Sequence, residues 1–343
     1  MKRRILITGG AGFIGSNFIQ HLHNTYPEYT LIILDALTYA GNMDNFPLSL
    51  RRDPNFEFWQ GDVCNPSLLF DLVQKVDTVV HFAAETHVSR SIHDDRKFFE
   101  TDVLGTQAVA NAVYKYKDSI DRFIHISTSE VYGSALSVPM NETHPLNPST
   151  PYAAAKAGAD RLVYSYCQTY EIPAVILRLF NQYGPYQHLE KVIPRFITSA
   201  IRNEPLTIHG NGMADRDWLY VHDTCLCIDR MIHADMHTIK GQVFNIGSGE
   251  CCNIFTLAQT ILDILGKSHA LITHMQDRPG QVALHLADTT KISNLFPDMR
   301  VPDFQSGMEK TIEWYLRNKD WWRRSLCMRQ VPIRNSAGEL TFY

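Results

Sequence analysis

Through the first half of the chain, short and nearly continuous apolar runs alternate with stretches whose apolar positions recur at helical spacing. The runs predict strands at Arg4–Thr8, Leu31–Asp35, Phe56–Gln60, Thr78–Phe82, Phe123–Ser127 and Ala174–Leu179. Their lack of apolar/polar alternation fits parallel strands covered on both faces by helices. The stretches between them predict helices such as Gly12–Asn24, Ser67–Val76, Asp102–Tyr116 and Tyr152–Thr169. That rhythm predicts an α/β fold with a doubly wound parallel sheet. From about Phe180 the pattern changes, and glycine and proline gather at Tyr183-Gly184-Pro185, His209-Gly210-Asn211-Gly212 and Arg278-Pro279-Gly280. Shorter helical pieces, Leu189–Arg202 and Ile254–Leu265, lie between these turns. We expect a sheet domain over residues 1–179, with 224–247 returning to it, and a smaller mixed α/β lobe over most of 180–330. Residues 331–343 form a tail, and the chain after Trp322 shows no clear pattern and reads as an appended, partly mobile piece.

Composition narrows the partners more than the fold. With 343 residues, 45% of them hydrophobic and 20% charged, the chain can bury one large core or two modest ones. A net charge of −4 argues against nucleic acid, which selects a basic face. No apolar run approaches the roughly 18 residues of a membrane span. The start, MKRRILITGG, carries basic residues but too short an apolar stretch for a secretory leader. The 7 cysteines are odd in number and irregular in spacing, so we expect a reducing cytoplasm. Cys225/Cys227 and Cys251/Cys252 lack the two-residue spacer of a zinc knuckle, and His233 and His237, four apart, are read as an exposed helical face; no metal is expected.

The chemistry starts at Gly9-Gly-Ala-Gly12-Phe-Ile-Gly15, which joins a predicted strand to a predicted helix. Gly9 permits a tight turn, Gly12 the approach of backbone to a pyrophosphate, and Gly15 close helix–strand packing; the first amides of the helix bind the anion. About 20 residues on, Asp35 closes the next strand, where a carboxylate accepts from both ribose hydroxyls and repels a 2′-phosphate. No arginine follows it, so NAD is expected rather than NADP, on a Rossmann-type sheet. Asp62, after the third strand, is placed to touch adenine or to hold a turn, and the small residues of Phe82-Ala83-Ala84-Glu85-Thr86 let backbone pass beneath the cofactor. Tyr152 and Lys156, four apart, share a helix face, and a nearby ammonium favours the phenolate of a general base. Ser127-Thr128-Ser129-Glu130 brings hydroxyls and a carboxyl to the end of the fifth predicted strand.

Taken together these motifs resemble the extended short-chain dehydrogenase/reductases and, within them, the NAD-dependent nucleotide-sugar 4,6-dehydratases, closest in pattern to the dTDP-glucose branch. The resembling stretches run through most of the chain: Thr8–Gly15, Leu34–Asn42, His81–Val88, Ser127–Gly133, Tyr152–Lys156, Asn181–Tyr186, Glu190-Lys191, Arg216–Val221 and Asp277–Gly280. The resemblance implies a redox-neutral cycle, in which Tyr152 deprotonates the sugar 4-hydroxyl held by Thr128 while hydride leaves C4. Glu130 then removes the C5 proton, water leaves C6, and the hydride returns to C6. It implies NAD contacts from Phe13, Ile14, Leu37, Thr38, Val63, Ala83, Ala84 and Thr101. It implies nucleotide-sugar contacts from Thr86, Asn181, Glu190, Lys191, Arg216, Asn253 and Arg278, and a homodimer through the helices at 102–116 and 152–169. Three departures bear on substrate and proton path: Ser129 stands where that branch carries an aspartate, Ser89 where an aspartate is usual, and Gln281 where a histidine is usual. Ser129 leaves three routes open for the leaving hydroxyl: Glu130 recycles the C5 proton, a water relays it, or the reaction is a related one. Alternative readings are a nucleotide-hexuronate decarboxylase, another sugar-modifying member of the family, and an inactive NAD-binding sensor.

Overall fold

A computed structural model describes residues 2–276, 282–299, 303–334 and 339–342. Six strands, β1 (Arg4–Thr8), β2 (Thr30–Asp35), β3 (Phe56–Gln60), β4 (Thr78–His81), β5 (Arg122–Thr128) and β6 (Ala174–Leu179), are joined by a seventh, β7 (Val243–Ile246). They form one sheet in the order β7-β6-β5-β4-β1-β2-β3, parallel throughout. Every residue of β2 and β6 is buried, because alternate side chains enter two apolar layers. On one face Ile5, Ile7, Ile33 and Leu177 pack with the helices Phe13–Thr25 and Val221–His233; on the other Leu6, Ile32, Val79 and Ile176 meet Pro66–Val73, Thr106–Lys115 and Pro151–Tyr170. With both faces covered, apolar residues dominate both sets of strand positions, and polar exceptions such as His125 and Arg178 are buried.

The chain reverses direction of strand order between β1 and β4, which opens a crevice beyond their carboxyl ends. Over that crevice sits the lobe. Its core gathers Phe196, Ile197, Leu257, Ile261, Met308 and the fully buried Trp322 from the helices Val192–Ile201, Ile254–Ile264, Phe304–Arg317 and Lys319–Arg323. A small sheet centred on Asp215–Tyr220 pairs with Cys251–Asn253, Leu284–His285 and Asn181–Tyr183, so the segment leaving β6 passes directly into the lobe.

Several expectations need correcting. The helix expected at 102–116 starts earlier, with a wider π-helical stretch at Phe99–Gly105 before Thr106–Lys115. His233 and His237 do not share a helix: the first ends at His233, Ala234 is extended, and a separate turn begins at Met236. His233 instead pairs with Asp229 at 3.0 Å and lies on the rings of Tyr26 and Tyr29. The tail is not without structure. Arg329 reaches Ser199 and Glu204, and Pro332–Arg334 pairs with Leu340–Phe342 and lies beside the helix Val88–His93. Among the described residues no helix is long and apolar enough to cross a membrane.

Candidate active site

A cavity of about 460 Å³ runs from the glycine turn after β1, past the ends of β4 and β5, to the lobe residues His209, Asn211 and Arg216. At its floor Gly9 takes a left-handed φ of +69° and its amide donates to the Leu34 carbonyl at 2.8 Å. Asp35 organises the neighbouring loop: its carboxylate accepts the amides of Ala11 at 2.9 Å and Leu37 at 2.8 Å, while burial pushes its pKa up. Gly9, Gly12, Phe13, Ile14, Gly15, Asp35, Thr38, Asp62, Val63, Ala83, Ala84 and Thr101 all line this half of the cavity. Leu37 does not; its amide serves Asp35 and its side chain packs into the apolar layer. Asp62 holds its turn by accepting the Cys64 amide at 2.9 Å, and it also lines the cavity.

Thr128, Glu130, Tyr152 and Lys156 converge on the middle of the cavity. Thr128 ends β5 and its hydroxyl accepts the Glu130 amide, starting the turn that aims Glu130. Thr150 caps the helix carrying the other two, and Pro151 suits its first position. The Lys156 ammonium donates to the Ile126 carbonyl at 2.8 Å on β5. Burial pulls its pKa down, opposed by Asp102 and Asp160. The expected depression of the Tyr152 pKa is overturned. Burial, then the carboxylates of Asp102 and Glu130, raise it well above the usual phenol value, and only the hydrogen bond to Thr128 lowers it. Lysine four residues along a helix does not determine the local field when two carboxylates and desolvation act on the same phenol.

Ser129 is also corrected. It is 2% exposed, does not line the cavity, and its hydroxyl lies 3.4 Å from His285 Nδ1. Thr86, Asn181, Glu190, Lys191 and Arg216 do line the cavity. Glu190 is already surrounded: Arg90 Nε donates to it at 2.9 Å and His188 approaches to 3.6 Å. Burial alone would raise its pKa, but His87, Lys191, His188 and Arg90 hold it below the usual carboxylate range. Lys191 reaches the Thr86 carbonyl at 2.8 Å, so the pair Glu190/Lys191 fastens two segments rather than one. Asn181 Oδ1 is buried with no hydrogen-bond partner, an acceptor awaiting a donor. Asn253 is not at the site: its side chain caps the helix Ile254–Ile264 by accepting the Thr256 amide at 2.8 Å. Arg278 and the rest of Asp277–Gln281 lie outside the described residues.

The cavity also holds groups that sequence reasoning missed, among them Gln187, Arg195, Thr207, His209 and Asn211. The turn His209–Gly212 was visible as a loop, and its polar residues were the available signal. Arg195 and Thr207 bond each other from a helix and a strand, a pairing no local pattern encodes.

Comparison with known proteins assigns the chain to a family. The family described as GDP-mannose 4,6 dehydratase matches residues 6–299. The chain is 40% identical to a dTDP-glucose 4,6-dehydratase of Streptomyces niveus, over 93% of this chain and 94% of that one. It is 36% identical to a dTDP-D-glucose 4,6-dehydratase of Mus musculus, over 97% and 94%. Among solved structures it resembles DesIV, a dTDP-glucose 4,6-dehydratase of Streptomyces venezuelae solved with NAD bound, with a TM-score of 0.88, 38% identity, and coverage of 94% of this chain and 99% of that one.

Proposed function

The chain belongs to the GDP-mannose 4,6-dehydratase family, and we propose that its cavity carries out NAD-dependent 4,6-dehydration of a nucleoside-diphosphate hexose. The observation that carries this is the convergence of Glu130 with Thr128 and Tyr152 on one cavity, since only elimination needs a second base beside the oxidising tyrosine. The glycine turn suits NAD: a methyl group on Gly12 would meet only the Gly9 carbonyl, leaving backbone open to a pyrophosphate, and Asp35 stands at the ribose position. When bound, NAD supplies the hydride store, taking hydride from C4 and returning it to C6.

The chain's own residues do the rest. Tyr152 takes the proton of the sugar 4-hydroxyl, with Thr128 holding that oxygen. Lys156, anchored on β5, supplies positive charge beside the ribose and the reacting oxygen. With its pKa raised by burial and two carboxylates, the Tyr152 phenol is protonated at neutral pH, and added positive charge beside it is what would favour the phenolate. A ketone at C4 acidifies C5–H, and Glu130 removes that proton as the C6 oxygen departs as water. Asn181, Lys191 and Arg216 hold the nucleotide end, charge and hydrogen bonds together answering a diphosphate.

For assembly, Phe99, Leu104, Tyr114, Tyr164 and Tyr170 leave large apolar groups exposed along the two helical stretches 99–115 and 151–170, which fits a homodimer through that face. All 7 cysteines are unpaired, which suits a cytoplasmic enzyme. The test is incubation with dTDP-, UDP-, GDP- and CDP-hexoses in deuterated water, read by mass spectrometry. Loss of water with deuterium appearing at C5 is expected. Loss of carbon dioxide from a hexuronate, with no dehydration of any hexose, would overturn the reading.

A further inference from the structure

His285 lies on the short strand Leu284–His285, wholly buried, opposite Arg216 in the register of the lobe sheet. Its Nε2 is 2.8 Å from the Gly133 carbonyl. A carbonyl oxygen only accepts, so Nε2 carries the hydrogen and Nδ1 of the neutral ring is left bare. Gly133 is itself fixed: its φ is +67° and a Cβ there would lie 1.9 Å from the Asn147 carbonyl oxygen, so this turn holds its carbonyl in one direction. Nδ1 faces two groups of the catalytic turn, Ser129 Oγ at 3.4 Å and Glu130 Oε1 at 3.9 Å. The Ser129 hydroxyl therefore donates towards His285 and away from the cavity. It is not the group that protonates a leaving hydroxyl.

We propose that His285 is a positioning residue acting through Glu130, the two sharing one proton so that a single carboxyl serves as both the base and the acid of the elimination. The inference rests on the dehydratase reading above. In the step, the C5–H bond breaks and its proton passes to Glu130. The electron pair is held first as the C4 enolate, whose collapse forms the C5–C6 double bond conjugated with the C4 ketone as the C6–O bond breaks. Before that bond breaks, a small rotation of the Glu130 side chain displaces the 3.4 Å Ser129 contact and brings the carboxyl to Nδ1, which takes the proton; Nδ1 then returns it to Glu130, which turns back and hands it to the C6 oxygen, so that the oxygen leaves as water. Glu130 ends as a carboxylate and the ring as neutral imidazole, and no outside acid is consumed. The groups facing the ring are consistent with a resting neutral state. Burial pulls its pKa down, the Glu130 carboxylate pulls it up, Arg216 pulls it down, the Gly133 carbonyl pulls it up and His144 pulls it down.

Two substitutions separate this from a packing role. His285→Gln is designed so that the side-chain amide donates to the Gly133 carbonyl, keeping the structural tie while replacing the basic Nδ1 with an amide oxygen that cannot take up the proton. With a hexose that the wild-type enzyme dehydrates, His285→Gln is expected to form reduced nicotinamide at the wild-type rate, seen by absorbance in stopped flow. That reduced cofactor should persist while product formation falls by about a hundredfold or more, the lower end of what general acid–base groups contribute. Ser129→Ala should lose less than His285→Gln. Three results would each overturn the proposal: product formation by His285→Gln at the wild-type rate, equal loss of C4 oxidation and of elimination, or a larger loss in Ser129→Ala. Melting temperature and bound NAD content check that each variant is folded. Absence of both reduced cofactor and product in the wild type, with every hexose offered, would instead sink the dehydratase reading itself.

Discussion

Three of the four glycines after β1, Gly9, Gly12 and Gly15, make a quantitative test of the cofactor site, because the same substitution has different consequences at each. In Gly9→Ala, a left-handed φ of +69° costs about 1–2 kcal/mol. The new Cβ also lies 2.5 Å from Ala83 N and 2.6 Å from Ala83 Cα, backbone atoms that cannot rotate away. Overpacking of that kind adds about 1–3 kcal/mol, so the sum is roughly 2–5 kcal/mol of lost stability. Gly15→Ala lacks the strained φ but meets Gly9 O at 2.6 Å and Gly10 Cα at 2.8 Å, so only the overpacking cost applies. Gly12→Ala meets nothing closer than Gly9 O at 3.3 Å and should leave stability within about 0.5 kcal/mol. Its methyl group projects where a pyrophosphate would rest, however, and displacing one amide–phosphate hydrogen bond costs roughly 1.5–3 kcal/mol, or about 10–150-fold in Kd. The assay pairs urea denaturation with NAD titration of protein stripped of cofactor. The expected order of destabilisation is Gly9→Ala, Gly15→Ala, Gly12→Ala, with a distinct binding loss in Gly12→Ala. A Gly12→Ala protein that binds NAD as tightly as the wild type would refute the placement of the pyrophosphate.

Other predictions concern single carboxyl groups. Glu130→Gln should leave C4 oxidation in place and block elimination, so that substrate converts bound NAD to its reduced form without product; full dehydratase activity would exclude Glu130 as the C5 base. Asp35→Ala removes the acceptor of two backbone amides and the ribose contact, so both melting temperature and NAD affinity should fall. Tighter binding of NADP than NAD by the wild-type protein would contradict that role. Asp102 is buried, with Oδ2 unpartnered, and burial pushes its pKa from 3.8 up to about 7 against the pull of Lys156. A folded value above the unfolded one means the folded state binds the proton more tightly, so stability falls as pH rises from about 4 to about 7. Relative to Asp102→Asn, the wild type should lose stability across that window, read from denaturation curves; parallel pH profiles would rule the effect out.

What the sequence determined by itself was whatever depends on neighbours along the chain. Gly9, Gly12 and Gly15 are legible because a strand, a turn and a helix follow one another within a few residues; a Cβ on Gly9 or Gly15 would strike backbone, while Gly12 leaves open space for a ligand. Tyr152 and Lys156 are legible because a helix brings residues four apart onto one face, and the apolar runs of β1, β2 and β6 are legible because a doubly covered sheet leaves no polar face. Local legibility also misled. Asn253, expected at the substrate from the resemblance, caps its own helix, whereas Glu190 lines the cavity and is held there by Arg90, 100 residues away. Only the tertiary structure decided the electrostatics. It set burial and two carboxylates against the Tyr152 phenol, turned Ser129 from the cavity, and brought His285 across 156 residues to face it. Backbone conformation is fixed by short-range sterics that sequence displays. The field at a buried atom is the sum of charges, dipoles and desolvation gathered from distant segments, and it exists only once those segments have packed.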